Sequence, residues 1–91
     1  MPEAIKVLSQ EIALSATQGN TVSNASLVRV VNITSNFALL TKRDSANTVL
    51  GSLTIGPNDS AYGEAYIIKQ PSDTIEANVA TTLYACSVGY F

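Results

Sequence analysis

The sequence predicts an all-β fold: a small antiparallel β-sandwich, immunoglobulin-like or jelly-roll-like, of about seven to eight short strands with an N-terminal arm. Three observations predict it. Turn signals recur roughly every 8–12 residues. Between them stand short β-branched and aromatic runs, the clearest being Leu27-Val28-Arg29-Val30-Val31-Asn32-Ile33. No segment of about ten residues carries a firm helical period. A chain of 91 residues holds one small domain, and its 46% apolar content is enough for a core.

The elements follow in order. Residues 1–10 read as an arm or a first strand, and residues 11–91 as the sandwich itself. Ile5, Val7, Leu8 and Ile12 are the arm's apolar residues. They fit an added strand lying on a neighbour, or the first strand of the same sandwich. A strand over about 11–17 ends at the turn signal Gln18-Gly19-Asn20. The run from Leu27 to Ile33 is apolar on both faces, as a central strand buried on two sides would be. Arg29 interrupts it, as a snorkelling or paired side chain or as a partner contact. Thr34-Ser35-Asn36 turns the chain, and Phe37–Lys42 is expected to form a hairpin with the strand before it.

After the polar loop Arg43–Asn47, Thr48–Ile55 alternates, with Val49, Leu53 and Ile55 on one side. Gly56-Pro57-Asn58-Asp59 stops it, because proline cannot donate to a ladder. Ala61–Gln70 brings Tyr62 and Tyr66 and ends at Pro71. Thr74–Val79 alternates, with Ile75, Ala77 and Val79 inward. Leu83–Phe91 is the last strand and carries Cys86. So β-rich a chain exposes sheet edges that invite pairing, and these are expected to be covered by a second chain or by the arm.

Composition argues against an enzyme. The chain has no His and one Cys, and only 13% of its residues are charged. Cys86 lacks a disulfide partner and an imidazole base, so it reads as a small buried apolar residue. A Cys–His zinc site is excluded for the same reason. Asp59, Glu64 and Asp73 lack the spacing of a calcium loop and read as solvated acids. No catalytic residue, metal or cofactor is expected. The net charge is −2, and only Lys42 and Arg43 are adjacent cations, so no basic stripe offers itself to nucleic acid. No apolar run reaches the roughly 20 residues of a membrane helix.

Four pieces in order carry a resemblance. They are Ser26–Asn32, Gly51–Asn58, Tyr66–Ile75 and the short Cys/Val/Gly/Tyr-rich end. Together they span about residues 22–91, and they resemble small structural proteins of tailed bacteriophages, cyanophages especially. The resemblance implies a β-sandwich that decorates a virion: a capsid decoration or cement protein. It would bind across joints between major capsid subunits on the capsid exterior, after assembly in the host cytoplasm. It implies major capsid protein or other virion proteins as partners, and a homo-oligomer, with a trimer expected. A tail, neck or fibre component and a carbohydrate- or receptor-binding module stand as alternatives. The expected interface residues are Ile5, Val7, Leu8, Ile12, Arg29, Tyr62, Tyr66 and Phe91.

Overall fold

The Leu27–Asn32 strand shows why this chain folds as sheets. Its even-numbered residues Val28, Val30 and Asn32 are buried, and its odd-numbered ones are half-buried. Alternation of this kind lets a strand give one face to a core and keep the other for something else. The computed structural model describes residues 5–60 and 63–90. They contain β1 (Ile5–Val7), β2 (Ile12–Ala13), β3 (Leu27–Asn32), β4 (Ala38–Arg43), β5 (Val49–Ile55), β6 (Glu64–Ile68), β7 (Thr74–Ala77) and β8 (Leu83–Tyr90), with no helix among them.

The strands form two antiparallel sheets, so the fold is a small all-β sandwich. The larger runs β1-β8-β3-β6, with β2 also on β8, and the smaller runs β5-β4-β7. β1 and β2 behave as one interrupted strand on the same edge of β8. Val7 faces Val88 and Ile12 faces Ala85, so two extra residues bulge out between them. Ser9 repairs the gap. Its hydroxyl accepts the Ser87 N–H at 2.9 Å, and its carbonyl accepts the Cys86 thiol at 3.1 Å.

Past β2 the chain crosses to the other sheet. The Ala77 N–H donates to Ser15 O at 3.0 Å, and Asn20 and Ile75 exchange two bonds at 3.0 Å. Gly19 permits this approach, since a Cβ there would stand 2.6 Å from Thr74 Cβ. Residues 5–20 therefore close one flank of the sandwich, covering the free edges of β8 and β7. On the opposite flank β5 and β6 are edge strands, with no further strand beside them among the described residues. The expected covering of edges is met within the chain on one flank only.

The core lies between the sheets. Leu14, Val22, Val28, Val30, Leu40, Ile55, Ile75 and Leu83 fill it, with Ala25, Ala38, Ala77 and Ala85 where strands approach closely. Asn32 is fully buried among them and joins the two sheets. Its Nδ2 donates to Asn36 O at 2.7 Å and Gly56 O at 2.9 Å, and its Oδ1 accepts from the Thr34 N–H at 2.8 Å.

Several local expectations change. β3 and β4 do not form a hairpin, because they belong to different sheets and Ile33–Phe37 is a crossing loop. The strand expected over 11–17 shrinks to Ile12–Ala13, because the chain leaves β8 there to reach β7. A bulge at Leu50 sets Val49 opposite Arg43, on the side away from Leu53. Val79 is exposed, because β7 ends at Ala77 and the chain turns. Asp73 is buried, not solvated, and accepts the Gln70 N–H at 3.1 Å. Among the described residues, a second sheet covers the inner face of β3 and none covers its half-buried outer face.

Candidate functional site

The pairing registers decide which side chains share the outer face of the larger sheet. β3 presents Leu27, Arg29 and Val31 outward. Opposite them β8 presents Tyr84, Cys86 and Val88, and β6 presents Glu64, Tyr66 and Ile68. β1 adds Ile5 and Val7, paired with Tyr90 and Val88. The result is a broad face with few charges. Val7 is 73% exposed and Ile68 is 79% exposed. Between them lies a depression of about 320 Å³ lined by Ile5, Val7, Glu11, Arg29, Cys86 and Val88.

The smaller sheet has a different outer face. It presents Thr41 and Arg43 on β4, Thr74 and Glu76 on β7, and Ser52 and Thr54 on β5. Arg43 Nε and Glu76 Oε1 pair there at 2.8 Å. Leu39 and Val49 are its apolar members. One side of the molecule is thus polar and the other apolar.

Two charges on the apolar side, Arg29 and Glu64, satisfy each other. Arg29 Nε pairs with Glu64 Oε2, and both side chains are partly exposed. Burial works against the charge on Arg29, but Glu64 and then Tyr66 outweigh it, so the guanidinium is held more firmly protonated than usual. An ion pair at the middle of an apolar face sets orientation for a partner more than it adds affinity.

Of the expected interface residues, the fold brings Ile5, Val7, Arg29 and Tyr66 onto this one face. Ile12 points the other way and packs against the core. Leu8 sits at the bulge, beside Gly89 and away from the face. Tyr62 and Phe91 lie outside the described residues. Ile68, Leu27, Val31, Val88 and Glu64 belong to the face and were not anticipated. The unbroken apolar run of β3 was their signal, since Leu27 and Val31 are the half of it that no core needs.

Among the described residues no cluster of acids and Cys is placed to hold a metal. Glu64 pairs with Arg29, and Asp73 is tied to the turn at Gln70. No helix in the described residues is long and apolar enough to cross a membrane. Comparisons with protein families, curated proteins and solved structures find no match.

Proposed function

We propose that this chain is a non-enzymatic structural module of a tailed-phage virion, a decoration or cement protein that docks on major capsid protein through the outer face of its larger sheet. One observation carries the docking reading: β3, in the middle of that sheet, is apolar on both faces, and only one is covered. Leaving Val7, Ile68, Leu27 and Val31 toward water gains nothing for a free chain, whereas covering them yields roughly 25 cal/mol per Å² of apolar area. The lack of histidine and the scarcity of charge support a binding role over catalysis. The phage assignment rests on the sequence resemblance.

The mechanism follows from the face. An apolar side chain of the partner enters the depression floored by Cys86 and Val88, and the Arg29–Glu64 pair at its margin sets orientation. Seated across a joint between capsid subunits, such a face adds buried area to both and resists their separation.

The test is co-sedimentation with expanded heads prepared without this protein. V7K and I68K should each weaken binding at least tenfold, while T41K on the polar face should leave it unchanged. Equal binding by all three would end the docking assignment. Gold labelling of whole virions separates the alternatives: label over the head supports decoration, and label confined to the tail or neck replaces it with the tail-component reading.

A further inference from the structure

We propose that β5 pairs edge to edge with β5 of a second copy, antiparallel about a two-fold axis at Leu53, so that two three-stranded sheets become one six-stranded sheet. The pairing uses a different surface from the docking face and does not depend on it.

Every second residue of a terminal strand points its N–H and C=O away from the sheet, which is a template for another strand. Proteins protect such edges with charge, proline or an inward-pointing lysine. β5 reads Val-Leu-Gly-Ser-Leu-Thr-Ile and has none of these, and the uncharged stretch around it extends from Ser45 to Asn58. Its one irregularity is the bulge at Leu50, which leaves Gly51–Ile55 regular.

Charge selects a second copy as the occupant. A two-fold axis sets each residue beside itself or a near neighbour, so any charge on the strand would meet its own sign. β5 carries no charge in a chain of net charge −2. β6, the other open edge, starts at Glu64.

Symmetry and side-chain size select the register. A two-fold normal to the sheet keeps inward residues inward, so residues of like parity must pair. Centring on Leu53 uses the whole regular stretch and avoids the bulge. Leu53 then faces its own copy, Gly51 faces Ile55, and on the outer side Ser52 faces Thr54. Leu53 points inward yet remains 43% exposed, because no strand stands beyond it. It borders a groove of about 200 Å³ whose lining includes Leu40, Leu50, Gly51, Ile67 and one cation, Lys42. No atom lies within 4 Å of where a Gly51 Cβ would be, so there is room for the incoming strand's side chain. Ser52 and Thr54 can hydrogen-bond across the joint.

Five paired residues bury less than the roughly 800 Å² per partner of a stable complex. The same flank supplies more, since Val49 and Leu50 of β5 and Ile68 of β6 are exposed there. The Lys42 Nζ bond to Ile68 O at 3.3 Å holds the two edges on that flank together.

Light scattering on purified full-length protein tests this. The expected mass is twice that of the chain, falling to the chain mass in L53K with an unchanged far-UV circular dichroism spectrum. In a C86A background, L53C should form a covalent dimer on mild oxidation, and T41C should not. The chain mass at every concentration up to millimolar would overturn the proposal. So would a trimer, or a wild-type-like oligomer in L53K.

Discussion

Asn47 holds a backbone φ of 70°, in the left-handed region. It stands in the five-residue loop between β4 and β5, where Asp44 Oδ1 accepts the N–H groups of Ala46 and Thr48 at 2.9 Å. Asparagine tolerates this conformation, glycine adopts it freely, and a β-branched residue adopts it only at a cost, as Val22 and Thr81 do at φ of 55° and 62°. N47G should change stability by less than about 1 kcal/mol, and N47V should cost about 1–2 kcal/mol; urea unfolding of both checks this. Lys69 is a second residue whose setting matters. It is 4% exposed, and its ammonium donates to Gln70 O at 3.3 Å and Pro71 O at 3.4 Å. Burial pushes its pKa below the ordinary 10.5, Asp73 opposes that shift, and Lys42 adds to it. The unfolded chain therefore binds the proton more tightly, and this lysine's unfavourable contribution fades as pH rises through the depressed pKa toward 10.5. Wild-type stability measured against K69M should rise over that window. A difference that stays flat, or falls, would show that the buried ammonium is not strained. Neither setting was legible beforehand: Asn47 sat in a plain polar loop, and Lys69 was one cation among five.

Strands succeed or fail here by what lies along their edges. β8 is shielded by the interrupted β1–β2 strand, and Ser9 fills the break with its own hydroxyl and carbonyl. Deleting residues 1–10 removes the three β1 pairs and both Ser9 contacts. The exposed β8 edge should then aggregate, and Cys86, buried in the intact chain, should react with a thiol reagent within minutes instead of hours. Cys86 that stays unreactive after deletion would mean the arm is not its cover. The crossing from β3 to β4 depends on Asn32 in the same local way. N32A leaves Gly56 O, Asn36 O and the Thr34 N–H without their side-chain partner, which should cost about 2–4 kcal/mol in urea unfolding. N32D keeps the acceptor, loses both donors and should do no better. The role of Asn32 at a turn was legible from its place before Thr34-Ser35-Asn36. Its reach to Gly56 was not, because only the packed sheets bring residue 56 beside residue 32.

The molecule as a whole is a sandwich with unlike sides. One flank is sealed by residues 5–20 and the other is left open at β5 and β6. One outer face is polar and the other apolar. Such a body is suited to assembly, with the apolar face for a partner and the open edge for a copy of itself. The two surfaces should separate experimentally. V7K should keep the β5-dependent dimer mass while losing head binding, and L53K should become monomeric while keeping the apolar face intact. Light scattering and co-sedimentation on the two variants check this, and loss of both properties in either one would mean that the surfaces are coupled.

Strand content could be read directly, and so could the limits of β3, β4 and β5 to within a residue, because a period of two and the punctuation of Gly, Pro and Asn are local properties of the chain. β7 and β8 lie close to where alternation put them, and Cys86 is buried as its strand suggested. Sheet membership could not be read. A turn such as Thr34-Ser35-Asn36 is compatible with a hairpin or a crossing, and the choice depends on which faces find apolar partners at long range. The one-residue bulge at Leu50 shifts the register and moves Val49 to the face opposite Leu53, whereas the two extra residues between β1 and β2 leave the alternation unchanged. Ile12 lies in the core and Val7 on the apolar face, as their odd spacing of five positions also gives by simple alternation. β3 teaches the same lesson in reverse. Its run is apolar on both faces, but only the packing of two sheets shows which face is covered and which is left open.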